Sequence, residues 1–240
     1  NGAIRNLFEA DAPCVAVSFA DDATDDEIAA ATAAGMDIAE IRIDLFAADG
    51  VDHVVERVRR FGGVPTIATI RATAEGGAWV GEDARRLALY EEVVRLVGAV
   101  DVEASSTAIC DRVIAAAHAL GRLAIVSFHD FERTPPEAEL VATIAQARDG
   151  AADVVKIATM AHDSDDLRTL ARVLAHDHGV GLVVIGMGEA GAASRLLFPF
   201  LGSMLTFASA GRSTAPGQLP LAQMAATFTS LSSEYAARRH

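Results

Sequence analysis

Lys156 is the only lysine in 240 residues; the other 19 of the 20 basic residues are arginines. It lies inside an apolar run, Val154-Val155-Lys156-Ile157-Ala158, where a charge is disfavoured. A lysine amine can lose its proton in a protein and an arginine cannot; burial and neighbouring arginines both favour the neutral form. The neutral amine attacks ketones and aldehydes to give a Schiff base, whose iminium acidifies the adjacent C–H. Drift toward arginine explains the other cations, but not why the one lysine stands where a charge fits worst.

Chemistry of this kind also moves protons. Among seven histidines, His129 stands out. It ends an apolar strand in Ser127-Phe128-His129-Asp130-Phe131, one strand from Lys156, and imidazole titrates near neutrality. His53, His118, His176 and His178 fall in helical patterns, His162 in a loop and His240 at the terminus. Arg42 and Arg71 lie on polar strand faces, and Arg195 follows a glycine-rich turn. Guanidinium groups grip carboxylates through paired hydrogen bonds, so three arginines beside an amine point to a small anionic substrate. Gly186-Met187-Gly188-Glu189-Ala190-Gly191 spells GxGxxG, yet no acidic residue follows before Glu234. A dinucleotide site needs one about 20 residues on. A substrate-binding turn at a helix start fits better. Two loops, Glu75-Gly76-Gly77 and Ser213-Thr214-Ala215-Pro216-Gly217-Gln218, combine glycine freedom with hydrogen-bonding groups on Thr214 and Gln218. They are expected to close over a ligand.

These residues must be held by elements. Strand-like runs fall at 14–19, 37–44, 65–71, 100–103, 123–128, 153–158, 182–187 and 204–208. Helical patterns fall at 25–34, 51–61, 83–97, 107–119, 135–148, 164–177 and 190–201, with a last one at 220–236. Eight such units predict an α/β protein: a (β/α)8 TIM barrel, one domain over 1–240, with its active site at the C-terminal strand ends. An open doubly wound sheet, usually of fewer strands, is the alternative. Residues two apart share a strand face. Glu40, Arg42 and Asp44 therefore share one face, opposite Ile41, Ile43 and Leu45; Thr69 pairs with Arg71, Asp101 with Glu103, Ser127 with His129. Helices must cover apolar faces, so the polar faces point inward. They form either a site or a structural ion-pair network, with Asp44 and Asp101 the first candidates for the latter.

The chain is 51% hydrophobic with a formal net charge of −13. That balance argues against nucleic acid and anionic membrane surfaces. No apolar run reaches the ~20 residues of a membrane span, and the opening Asn1-Gly2-Ala3-Ile4-Arg5 lacks a signal-peptide pattern. Cys14 and Cys110 match no metal spacing and read as buried free thiols of a reducing cytoplasm.

Several motifs together resemble type I 3-dehydroquinate dehydratase. They are Glu40-Ile41-Arg42-Ile43-Asp44, Arg71 with Glu75-Gly76-Gly77, and Ser127-Phe128-His129-Asp130-Phe131 with Thr134-Pro135. Ala152-Asp153-Val154-Val155-Lys156-Ile157-Ala158, Met187-Gly188 with Ser194-Arg195, and Ala215-Pro216-Gly217-Gln218 complete the set. The resemblance runs from about Val15 to Gln218. It implies a (β/α)8 barrel, commonly a homodimer, that dehydrates 3-dehydroquinate to 3-dehydroshikimate without a metal or nucleotide cofactor. It also implies an imine-forming Lys156, a general acid–base His129, and substrate-binding Arg195 and Arg71. Glu40 and Arg42 would share the pocket, and Gln218 would lie on the closing loop. The chain departs from the pattern at Thr214, where the family often has serine, and in residues 1–13, which look short for the N-terminal hairpin of some members. A class I aldolase would explain Lys156 equally well but the arginines less well. A barrel kept as a ligand-binding regulator would be expected to have lost the amine or the histidine.

Overall fold

The alternating pattern folds into a ring of parallel strands. The structure, a computed structural model, describes residues 2–10, 12–211 and 215–239. A short helix α1 (Ala3–Glu9) precedes β1 (Val15–Phe19), α2 (Asp25–Ala33), β2 (Ile38–Arg42), α3 (Val51–Arg59) and β3 (Thr66–Thr69). Then come α4 (Asp83–Val93), β4 (Ala99–Glu103), α5 (Cys110–Ala119), β5 (Leu123–Asp130), α6 (Glu137–Asp149) and β6 (Val154–Met160). The chain continues through α7 (Ser164–Ala175), β7 (Gly181–Met187), α8 (Gly188–Gly191), α9 (Ser194–Leu197), β8 (Thr206–Ala208), α10 (Leu221–Leu231) and α11 (Ser233–Ala237). The eight strands run in the order β7-β6-β5-β4-β3-β2-β1-β8, each pair parallel. The ends of this order meet where Met204 N–H donates to the Leu182 carbonyl (2.8 Å) and Val184 N–H to Ser203 Oγ (3.0 Å). The (β/α)8 barrel expected from the pattern is the fold.

Strand alternation divides the core in two. Val15, Val17, Ile41, Val100, Val102, Val155 and Ile157 face outward into the helical layer. Ala16, Ile38, Ile67, Ala99, Ile125, Val154, Val183 and Leu205 face inward and fill the lower half of the ring. One residue pair further along each strand, the inward positions turn polar: Ser18, Glu40, Thr69, Asp101, Ser127 and Lys156. A barrel thus has an apolar floor and a charged upper storey. The floor is closed by α1, whose Ile4 and Phe8 are buried in the same inward cluster.

Three expectations are corrected in detail, and α1 (Ala3–Glu9) is an element the sequence pattern did not include. Strand two ends at Arg42, and residues 43–45 form a 3-10 turn. Alternation therefore fails there, and Leu45 is 40% exposed instead of packed. The single helix read over 190–201 is broken into α8, α9 and a 3-10 turn at Phe198–Leu201, which carries Pro199. The last helix breaks at Ser232, whose extended backbone lets its Oγ cap α11 at Tyr235 N–H (3.1 Å). Both cysteines are free and buried. Among the described residues, no helix is long and apolar enough to cross a membrane.

Candidate active site

Lys156 points from the middle of β6 into the upper storey and is 6% exposed. Its Nζ lies 3.2 Å from Asp101 Oδ2, 3.7 Å from Glu40 Oε1, and 4.4 Å from the centre of the Phe207 ring. The charges nearest the amine are therefore carboxylates, where the sequence suggested arginines. Asp101 is shared: its other oxygen accepts from Arg71 Nη2 (2.8 Å) and Ser127 Oγ (2.6 Å). Burial pushes the Asp101 carboxyl up, but Arg71 and Lys156 outweigh it and hold the group well below the usual carboxylate range. Glu40 accepts from Ser18 Oγ (2.5 Å) and Thr69 Oγ1 (3.0 Å), so both of its oxygens are aimed.

His129 sits one strand away, opposite Ala158 in the β5–β6 ladder. Its backbone N–H (2.9 Å) and its Nδ1 (3.0 Å) both meet Glu75 Oε2, and Ser105 Oγ donates to the other Glu75 oxygen. Donation from Nδ1 leaves Nε2 with its lone pair. Burial, then the Arg71 and Lys156 charges, push the His129 pKa well below the ordinary histidine value, so the ring is neutral at neutral pH. Burial raises the Glu75 carboxyl. The Phe131 ring lies near-parallel to the imidazole (15°, centroids 6.4 Å apart). Gly76 makes room for it: its φ is +74°, and a β-carbon there would come within 2.4 Å of the Phe131 ring. Gly76 thus seats an aromatic ring, and the residue before it orients the histidine.

The three arginines have different surroundings. Arg42 is clasped by Asp44 through two bonds (2.9 and 2.7 Å). Arg71 is 4% exposed and spans Asp101, Ser127 (2.6 Å) and Glu103 (3.1 Å). Much of its hydrogen-bonding capacity therefore serves the network suspected from the strand faces. Arg195, expected to bind substrate, is 1% exposed. Among the described residues it donates to two carbonyls, Nη2 to Pro216 O (3.0 Å) and Nη1 to Phe207 O (3.4 Å), and its Nε meets no partner. No carboxylate pairs with it among the described residues. Burial pulls its pKa down to about 10, still charged at neutral pH.

The GxGxxG run explains how Arg195 gets there. A β-carbon on Gly191 would come within 2.4 Å of the Gly186 backbone, so only glycine lets the turn fold back on the end of β7. Ser194 Oγ fastens it, accepting from Gly186 N–H (2.9 Å) and donating to Gly191 O (2.7 Å).

Lys156, His129 and Arg195 line one cavity of about 530 Å³, counting its open mouth. Glu40, Arg42, Arg71 and Gln218 share its wall, and Ile185, Met187 and Phe207 make one side apolar. Of the residues expected in the site, only Thr214 lies outside the described residues. The other described histidines lie outside this cavity: His53 meets Asp21, His118 Asp153, His162 the Glu132 carbonyl, His176 Glu137, and His178 the Val173 carbonyl. Two contributors escaped the sequence reading. Glu75 stood there only with the glycines after it, and Phe207 was not singled out. The sole signal for Glu75 was an acid abutting a Gly-Gly pair.

Residues 13–234 match the model of the family described as type I 3-dehydroquinase. The chain belongs to this family. A 3-dehydroquinate dehydratase from Methanosarcina barkeri is 38% identical over 195 residues, covering 77% of this chain and 81% of that protein. The crystal structure of the 3-dehydroquinate dehydratase from Aquifex aeolicus VF5 superposes with a TM-score of 0.84 at 29% identity, covering 92% of this chain and 99% of the other. A type I 3-dehydroquinate dehydratase from Clostridium difficile, solved with covalently modified comenic acid, gives a TM-score of 0.82 at 26% identity, with 93% of each chain covered. Membership in the type I 3-dehydroquinase family decides against the aldolase and the dinucleotide readings of the same residues.

Proposed function

We propose that the protein dehydrates 3-dehydroquinate to 3-dehydroshikimate through an imine on Lys156, in an active site at the C-terminal mouth of a one-domain barrel. The observation that carries this reading is the buried guanidinium of Arg195, with no carboxylate partner among the described residues, in the same cavity as an amine and a neutral imidazole. Such a charge is unfavourable until an anion arrives, and the substrate of the related dehydratases is a carboxylate.

The substrate carboxylate pairs with Arg195, and the ring hydroxyls meet Glu40, Arg42, Arg71, Gln218 and Thr214. Lys156 gives up its proton, for which the nearby carboxylates and the His129 Nε2 are acceptors, and attacks the ketone carbon. The carbinolamine loses water to form the iminium. His129 then takes a proton from the carbon next to the iminium carbon. The electron pair left behind expels the hydroxyl on the following carbon, which leaves as water with the proton His129 returns. Addition of water to the product iminium frees Lys156. His129 can do this because it is neutral at the start, and Glu75 holds the ring with Nε2 toward the reacting carbon. The covalent comenic acid in the Clostridium difficile relative accords with a covalent intermediate. A cytoplasmic setting, in keeping with two free buried thiols, and a homodimer belong to the same reading; light scattering checks the latter.

The decisive experiment adds borohydride during turnover of 3-dehydroquinate and locates the adduct by mass. As the chain has one lysine, a reduced imine has one side-chain address. Absence of an adduct on Lys156 would sink the imine mechanism. Binding without turnover by the wild type would point instead to a ligand-binding regulator.

A further inference from the structure

Arg86 belongs to α4, in the helical layer, and does not line the cavity, yet it is 1% exposed. Its Nε donates to the Ile70 carbonyl (2.8 Å), its Nη1 to Ser106 Oγ (2.8 Å), and its Nη2 pairs with Glu103 Oε2. The other oxygen of Glu103 faces Arg71 Nη1 (3.1 Å). Arg71 Nη2 reaches Asp101 Oδ1 (2.8 Å), and Asp101 Oδ2 reaches Lys156 Nζ (3.2 Å). Five buried groups thus alternate in sign from the helical layer to the amine: Arg86, Glu103, Arg71, Asp101, Lys156. In a dry interior each charge is compensated mainly by its neighbours in such a chain.

We propose that Arg86 is a positioning residue that sets how firmly Asp101 holds the Lys156 ammonium, acting through Glu103 and Arg71. Its catalytic consequence rests on the imine reading above. Glu103 divides its charge between two guanidinium groups. Without Arg86 it draws on Arg71 alone. Asp101 is then less neutralised by Arg71 and holds the ammonium harder, so the amine becomes free only at higher pH. The other charged or titratable groups around the cavity of Nζ are Glu40, Arg42, Glu75, His129 and Arg195, and none of them contacts Arg86. Tyr90 does: its ring lies 5.8 Å from the Arg86 guanidinium and its hydroxyl donates to the Asp101 carbonyl (2.6 Å), and burial pushes its pKa up, so it stays uncharged through the titration.

The test reads the amine directly. Reductive methylation with formaldehyde and cyanoborohydride modifies the neutral amine, and mass spectrometry follows Lys156 as a function of pH. Arg86→Met keeps the bulk and removes the charge; the midpoint should rise by about one pH unit, with the acid limb of kcat/KM moving the same way. Glu103→Gln frees Arg71 for Asp101 and should lower the midpoint. Arg86→Lys keeps the charge and should stay close to wild type. In Arg86→Met/Glu103→Gln the midpoint should equal that of Glu103→Gln alone. A wild-type midpoint in Arg86→Met overturns the proposal. So does a shift that persists undiminished in the Glu103→Gln background, because that is action through space with no relay. Should Arg86→Met fail to fold, a Glu103→Gln midpoint at or above wild type overturns it equally. Borohydride trapping on the wild type is separate: a missing adduct refutes the imine, whereas an adduct with an unmoved midpoint refutes only the relay.

Discussion

Arg195, with no carboxylate beside it among the described residues, and Glu75, fully engaged, show what a single side chain does here. A buried guanidinium without a counter-ion should weaken the empty fold and strengthen the loaded one. Arg195→Met should therefore keep or raise the melting temperature while raising KM for the carboxylate substrate by roughly 10- to 100-fold, the worth of charge-assisted hydrogen bonds. Thermal unfolding and steady-state kinetics on one sample check both; a variant that loses stability and keeps KM contradicts the role assigned to it. Glu75 is the opposite case, a carboxylate fully engaged by Ser105 and by two donors of His129. Glu75→Ala should lower kcat by about 10- to 100-fold with a smaller change in KM. The imidazole should also lose its preference for the Nδ1–H tautomer, which nitrogen NMR reads; an unchanged tautomer would leave Glu75 without its orienting part. Lys156, His129, Arg42 and Arg71 were legible beforehand because a polar residue in an apolar strand has few explanations. Glu75 was not, because in a loop an acid is ordinary and its partner is 54 positions away.

Period-two alternation made the inward faces of β2 to β6 readable, since each strand has one side for helices and one for the cavity. It failed where geometry stops being periodic. Residues 43–45 turn as a 3-10 helix, and the stretch after β7 folds into two single turns because Gly191 must lie against Gly186. The helix α1 was invisible for a different reason: seven residues with two buried side chains are too few to make a periodic signal. Its contribution comes from what it covers. Ile4→Ala should destabilise the fold by about 2–4 kcal/mol through the cavity it leaves, seen as a lower urea midpoint, with kcat per folded molecule unchanged because α1 lies at the far end from the site. A loss of kcat without loss of stability would contradict that separation.

The molecule carries a net charge of −13 and keeps an anion-seeking arginine inside, so its interior and its exterior follow different electrostatic rules. The interior rule has a signature in stability. The His129 pKa is depressed in the fold, so just below the ordinary histidine value the unfolded chain binds a proton that the fold refuses. Stability from this group is present above pH ~6.5 and is lost as pH falls below it, by up to about 1.4 kcal/mol per pH unit. Urea unfolding between pH 7 and 5.5 should show a shallower slope for His129→Gln than for wild type; equal slopes would mean the ring titrates alike in both states. Glu75, raised by burial, works in the opposite sense, which makes the difference between the two proteins the quantity to read. The sealed floor has a bearing on traffic. With Ile4, Phe8 and the lower ring of apolar residues stopping the bottom, the barrel is a cul-de-sac. Whatever enters must leave by the doorway it came in, and the water released by a dehydration has no drain beneath it. Turnover is then a queue of one, in which a lingering product blocks the next arrival, and compounds shaped like the product should compete with substrate at that doorway.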